Sequence, residues 1–237
     1  MSARGGARAV LFELDGTLLA SRGITAAVER VAEEVFATSV RSLNVRADGM
    51  TDPEILACLL GCAADGAPPV SPRLVARFEV AWARALRSAI ASGDVAVAAQ
   101  PGARELVAAL AARADCRLGV VTGNLRTSAR VKLDAVGLAE PLAIGAYGSD
   151  APSRRLLPAL ALARIARATG ADVPASAAVV VGDTPHDVAC ARAAGMRCVL
   201  VATGGYDRAE LAGCGSDALL DDLADRERAL AAILGGP

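Results

Sequence analysis

Only one histidine, His186, and one lysine, Lys132, occur in 237 residues. A single imidazole leaves no ligand set for zinc. A single ammonium means that nearly every cation in a buried site has to be arginine. Six cysteines, Cys58, Cys62, Cys116, Cys190, Cys198 and Cys214, are scattered without any Cys-x-x-Cys pair. Cys58 and Cys62 stand at helical spacing, which reads as a packed face rather than a metal or disulfide motif. No apolar run approaches a membrane span, and the first one is cut short by Glu13 and Asp15, unlike a secretory leader. The formal net charge of −1 offers no electrostatic case for nucleic acid or membrane binding. A reduced, cytoplasmic protein is the expectation, with oligomeric state left open.

What is abundant is alanine. The chain is 54% hydrophobic but only 3% aromatic, and alanine-rich runs interspersed with Arg and Glu favour helix. Its length suits one ordinary core and a smaller satellite. Val10 to Phe12 form a short apolar run that ends at once in Glu13-Leu14-Asp15-Gly16-Thr17, the pattern of a buried strand meeting a turn. Alternation along the strand places Glu13 and Asp15 on one side at its carboxyl end. Two such acids are costly to desolvate unless a cation or proton pairs them. The plain alternative is a strand that stops in a solvated turn.

After Leu19 the pattern becomes helical. Ile24 to Phe36 carries apolar residues at helical spacing, and Asp52 before Pro53 predicts an N-cap for a helix over Glu54 to Leu60. Gly61 to Pro69 reads as a loop, and Ser71-Pro72 opens a helix to about Ser92. No strand signal is found between Leu19 and Gln100. Strands then alternate with helices: a helix over Ala103 to Arg113, a strand over Arg117 to Val121, a helix over Thr127 to Val136 and a short strand near Leu142 to Ile144. A helix over Arg154 to Thr169, a strand over Ala177 to Val181 and a strand over Cys198 to Val201 complete the series. This alternation predicts an α/β fold with a Rossmann-like parallel sheet flanked by helices. Residues 1–19 and 100–237 would form the core, and residues 20–99 an inserted α-helical cap.

In such a sheet, ligands bind beyond the carboxyl ends of the strands. Three strand ends carry polar chemistry here: Glu13 with Asp15, Thr122-Gly123-Asn124, and Asp183 with Asp187. Thr122 and the amides of Gly123 and Asn124 suit phosphate oxygens, and Asp183, Asp187 and Glu13 make a hard oxygen site that fits Mg²⁺. Taken singly, each segment also reads as an ordinary helix cap or a solvated helix start.

Together these residues resemble the haloacid dehalogenase superfamily, largely Mg²⁺-dependent phosphatases. Its first motif, Asp-x-Asp-Gly-Thr, stands here as Glu13-Leu14-Asp15-Gly16-Thr17. Thr122 matches the second motif, and Gly182, Asp183 and Asp187 match the fourth. The helical insertion resembles the family's C1 cap, and Asp48-Gly-Met-Thr-Asp52-Pro53 resembles a loop of phosphoglycolate-phosphatase-like members. The resemblance implies attack on phosphorus by the first acid to form an acyl phosphate, with Asp15 as general acid and base. It implies that Thr122, Gly123 and Asn124 hold the phosphoryl group of a small phosphorylated metabolite. Mg²⁺ would be held by Glu13, the Asp15 carbonyl and Asp183, with Asp187 in direct or indirect support. Asp15 and the Asp183/Asp187 pair favour phosphoryl transfer over dehalogenation.

Two positions depart from the pattern. The third-motif lysine is missing from its usual place. Lys132 lies too early, on an expected packing surface, so Arg154 is the candidate cation, with Arg155 as rival. Glu13 replaces the nucleophilic aspartate, and its extra methylene displaces the attacking oxygen by about 1.5 Å, where a misplacement of about 1 Å can cost roughly a hundredfold in rate. A shifted backbone, a slow enzyme, and a catalytically degraded binding or regulatory protein are the three outcomes this leaves. His186, inside the fourth motif, reads as a solvent-facing loop residue. Asp48 to Asp52 is the cap segment expected nearest the site.

Overall fold

The computed structural model describes residues 7–40, 47–61 and 70–235. Cys62 and the loop expected through Pro69 fall outside that range. Six strands form one parallel sheet: β1 (Arg8–Phe12), β4 (Cys116–Val121), β5 (Gly145–Ala146), β6 (Ala178–Gly182), β7 (Arg197–Val201) and β8 (Ala218–Leu220). Their spatial order is β5-β4-β1-β6-β7-β8, so β1 lies at the centre, flanked by β4 and β6. A central parallel strand is covered on both faces, which is why Ala9 to Phe12 reads as an unbroken apolar run.

Period-two alternation sends Val10 and Phe12 to one layer and Ala9 and Leu11 to the other. Val10 and Phe12 pack with helices α4 (Ala103–Ala111), α5 (Arg126–Ala135) and α9 (Arg226–Leu234). Ala9 and Leu11 pack with α6 (Leu157–Thr169) and α7 (Pro185–Ala193). The α/β class and the flanking helices stand as expected; β5 lies slightly later than the Leu142–Ile144 reading. The helix expected from Arg154 opens instead with a 3-10 turn over Arg154–Leu156 before α6.

Residues between the first strand and Gln100 form their own apolar cluster. Helices α1 (Ile24–Phe36), α2 (Asp52–Leu59) and α3 (Pro72–Ser92) bury Val31, Leu56, Phe78, Trp82 and Leu86. Ser71 caps α3, and Thr51 caps α2 through a reciprocal pair with Glu54. Thr51 therefore takes the N-cap role expected of Asp52, whose side chain is directed elsewhere. The expectation of no strand before Gln100 is corrected. β2 (Leu19–Arg22) and β3 (Ala96–Ala99) pair as an antiparallel ribbon where the chain leaves and re-enters the core. Val97 is the one β-branched residue in the two strands, and Ala20, Ser21, Ala96 and Ala98 are small, so local sequence gives little sign of a pairing made by distant partners.

Because Phe12 is fully buried at the sheet centre, Phe12→Ala should lower stability by about 3–5 kcal/mol in urea unfolding.

Candidate active site

The sheet's carboxyl edge gathers three chain reversals. Glu13 still donates its main-chain N–H to the Val181 carbonyl at 2.9 Å, continuing the β1–β6 pairing without a break. The main chain at Glu13 thus keeps regular sheet pairing. Beyond it, Leu14 accepts main-chain bonds from Thr17, Leu18 and Leu19. Gly16 holds φ at +85°, and any β-carbon there would overlap the Asp183 carboxylate. The sharp turn thus brings Asp183 from β6 against the end of β1, where Thr17 donates its hydroxyl to Asp183 Oδ1 at 2.7 Å.

Glu13 is buried, and its Oε1 accepts a hydrogen bond from Thr122 Oγ1 at 2.7 Å. Oε2 is buried without any partner, a costly state unless a ligand completes it. Asp15 accepts from Ser21 Oγ at 3.1 Å, Asn124 Nδ2 at 2.8 Å and Lys132 Nζ at 2.6 Å. Lys132 also donates to Asn124 Oδ1 at 2.7 Å and is only 3% exposed. The reading of Lys132 as a packing residue is thereby corrected. Its position on α5 places it two turns after Asn124, so the spacing from Asn124 on a helix was the overlooked signal.

Arg154 joins the site as well, and Arg155 does not contact these carboxylates. The Arg154 guanidinium donates from Nη2 to Asp187 Oδ1 at 2.6 Å and from Nη1 to the Gly49 carbonyl at 2.9 Å. Nη2 lies 3.8 Å from Glu13 Oε1. Asp187 in turn accepts at Oδ2 from the Asp183 and Thr184 amides and the Thr184 hydroxyl. With both oxygens engaged, Asp187 is placed to orient the loop rather than to ligate a metal directly. His186 lines a separate cavity of about 450 Å³ with Arg154 and Cys190, away from the carboxylates of Glu13, Asp15 and Asp183.

The electrostatics follow from this crowding. Burial pushes the Glu13 carboxyl well up, an effect Arg154 opposes and Asp187, Asp183 and Asp15 reinforce. Burial likewise raises Asp183 to about 8, with Asp187 adding to it. Burial would raise Asp15 too, but the Lys132 ammonium and the hydrogen bonds from Lys132 and Asn124 outweigh it and hold that carboxyl low. Four carboxylates, Glu13, Asp15, Asp183 and Asp187, face two cations, Lys132 and Arg154. The excess of acids over cations among the described residues and the orphaned Glu13 oxygen fit a divalent cation. Among the described residues no group of three or more His, Cys, Asp or Glu side chains is placed to hold a metal by itself. Main-chain oxygen would have to complete the shell.

Residues 48–52 close the other side. Asp48, Gly49, Met50 and Asp52 line, with these residues, a cavity of about 520 Å³. Asp52 donates its amide to the Gly123 carbonyl at 2.8 Å and accepts at Oδ2 from the Leu125 amide at 2.8 Å. Gly123 lies so close to the Met50 carbonyl that a β-carbon there would collide with it. Gln100 and Thr203, which the sequence left unmarked, also border the cavity; Gln100 donates to the Thr203 carbonyl and Thr203 to that of Gly16.

This set of strand ends identifies the class. Residues 10–192 match the haloacid dehalogenase-like hydrolases, and the chain belongs to that family as an enzyme of the phosphatase type. It is 35% identical over 224 residues to a phosphoglycolate phosphatase of Rhodospirillum rubrum, covering 92% of this chain and 88% of that relative. Among solved structures it resembles CbbY from Rhodobacter sphaeroides, an Asp-to-Asn variant in complex with xylulose-1,5-bisphosphate. That likeness has 25% identity and a TM-score of 0.67 over 92% of this chain and 96% of that one. A hydrolase from Pseudomonas syringae matches at 25% identity and a TM-score of 0.69, over 96% and 100% of the two chains.

Two consequences of these contacts are measurable. Lys132→Met strips Asp15 of its cation. Because the Asp15 side chain is 37% exposed, the loss in urea unfolding should be about 2 kcal/mol, below the roughly 3–5 of a fully buried pair. Burial, opposed by Lys132, raises Asp52 to about 6 from its usual 3.8. The folded state then binds this proton more tightly than the unfolded one, so stability falls as pH rises from about 4 through 6. Asp52→Asn removes that slope. Its stability relative to wild type should improve by about 1 kcal/mol between pH 4 and pH 7, with solvent at the cavity rim screening the rest.

Proposed function

We propose that the chain is a Mg²⁺-dependent phosphomonoester hydrolase of the cytoplasm, acting on a small phosphorylated metabolite, with residues 1–19 and 100–237 as core and 20–99 as cap. The observation that carries the reading is the buried Glu13 carboxylate, bonded at one oxygen and orphaned at the other, within the Lys132–Asp15–Asn124 and Arg154–Asp187 pairs. The free thiols of Cys58, Cys116, Cys190, Cys198 and Cys214 accord with a reducing compartment.

In this reading a Glu13 oxygen attacks phosphorus, the bond from phosphorus to the alcohol oxygen breaks, and an acyl phosphate forms. Asp15, held as a carboxylate by Lys132, lacks the proton the alkoxide requires. A substrate arriving as its monoanion supplies it, since the second proton of a phosphate monoester leaves at about pH 6; Asp15 relays it to the leaving oxygen. Asp15 then takes a proton from water as that water attacks the phosphorus. The bond to Glu13 breaks, Asp15 passes its proton to the departing phosphate, and both carboxylates are regenerated. Thr122 holds Glu13 in line, and Arg154 balances charge on Glu13 and the transferring group. A bound Mg²⁺, held by Glu13, Asp183 and the Asp15 carbonyl, would supply charge neutralisation for the phosphoryl oxygens.

Glu13 also supports a second reading, a catalytically degraded protein that keeps the pocket for binding or regulation. A panel of phosphomonoesters assayed with Mg²⁺ separates the two. The enzyme reading expects turnover in wild type that drops by at least about 10³-fold in Glu13→Gln, while Glu13→Asp stays active. Inert wild type beside an active Glu13→Asp would reject it in favour of the degraded protein.

A further inference from the structure

Helix α5 begins directly after Thr122-Gly123-Asn124, so whatever fixes its first turn also fixes the loop that offers amides to a phosphoryl group. The local sequence supplies nothing for that purpose. Leu125 stands at the N-cap without a side-chain acceptor, and the first turn holds no acid. A helix start of this kind leaves amides in need of acceptors from elsewhere.

Helices α2 and α3 provide them. Asp52 Oδ2 accepts from the Leu125 amide at 2.8 Å and from Ser128 Oγ at 3.4 Å. Glu79 Oε1 accepts from both the amide and the hydroxyl of Thr127, each at 3.1 Å. The Asp52 amide donates in turn to the Gly123 carbonyl at 2.8 Å, so one residue grips the loop on both sides of Asn124. Carboxylates are also the groups that a helix N-terminus favours electrostatically.

The groups so held are those that the reaction uses. Thr122 is bonded to Glu13, and Asn124 joins Asp15 to Lys132. Lys132 itself stands two turns along α5. A displacement of about 1 Å at such groups can cost roughly a hundredfold in rate. Asp52 borders the cavity, but Glu79 is not among the described residues that line it. Any influence of Glu79 on turnover must therefore pass through α5.

We propose that Asp52 and Glu79 are positioning residues for the phosphoryl-binding loop. They supply the acceptors that α5 lacks and so hold Thr122, Asn124 and Lys132 in register with Glu13 and Asp15. This deepens the phosphatase reading and rests on it for turnover, though not for the binding of phosphate.

The full-length protein is assayed with Mg²⁺ on a panel of phosphomonoesters, with rates expressed per folded enzyme. Asp52→Ala should lower kcat at least about tenfold while KM changes less than about fivefold. The factor should be the same for every ester, because the loop meets the phosphoryl group they share. Glu79→Ala should lower kcat at least about threefold, with the same uniformity. Asp52→Asn and Glu79→Gln keep an acceptor oxygen and should stay within about twofold of wild type. Amide hydrogen exchange over residues 123–127 should quicken at least about tenfold in both alanine variants, and exchange over residues 9–12 should not change. Smaller losses in either alanine variant, losses shared by the Asn or Gln variant, or losses confined to particular esters overturn the inference and leave the phosphatase reading intact. If wild type hydrolyses no ester, that reading falls and titration with inorganic phosphate decides. Affinity at least about threefold weaker in Asp52→Ala and recovered in Asp52→Asn upholds the positioning role; a smaller change overturns it.

Discussion

The constraint on which this structure depends is an excess of buried negative charge. Glu13 and Asp15 from the end of β1 meet Asp183 and Asp187 from the end of β6, and among the described residues Lys132 and Arg154 are the cations that answer them. Like charges in a poorly solvated pocket repel strongly, so the fold must either protonate some of them or hold a place for outside cations. Much of the local architecture serves to make the crowding tolerable. The Thr184 hydroxyl and two amides saturate one Asp187 oxygen, and Thr17 and Thr122 each hand a hydroxyl to a neighbouring carboxylate.

Within that charge field the two leading acids differ in kind. Asp15 has an ammonium, an amide and a hydroxyl around it and stays ionised. Glu13 has one hydroxyl, a distant guanidinium and a bare oxygen, and its proton is held more tightly. The main chain keeps sheet pairing through Glu13, and the glutamate carboxylate lies beyond it in the pocket. Thr122 at 2.7 Å pins that position. The Thr122 hydroxyl is therefore engaged by the Glu13 carboxylate.

The parallel core was legible in the sequence because central strands such as Ala9–Phe12 and Ala178–Val181 are buried on both faces and read as continuous apolar runs. The strand ends were legible because their acids interrupt those runs. Lys132 was not: its importance arises from a helix that folds back over Asp15, 117 residues away. The β2–β3 ribbon was missed for a related reason, since Ala20 and Ala98 become strand only through each other. Asp52 was assigned a local capping role that Thr51 fills, and its own side chain reaches Leu125 instead. Strand ends that the parallel sheet brings to one edge were readable; single side-chain and strand pairings between distant segments, such as Lys132 with Asp15 or Ala20 with Ala98, were not.

That ribbon has a mechanical consequence. Two separate linkers would let the cap twist, slide and swing independently of the core. Here the two crossing segments are hydrogen-bonded side by side, in a register that matches Leu19 to Ala99 and Arg22 to Ala96, and the Gln100 amide ties the return strand to the Leu18 carbonyl at 2.8 Å. A two-stranded strip bends far more readily across its face than it shears along its length. Residues 23–95 are thereby joined to the sheet by one hydrogen-bonded strip rather than by two separate linkers.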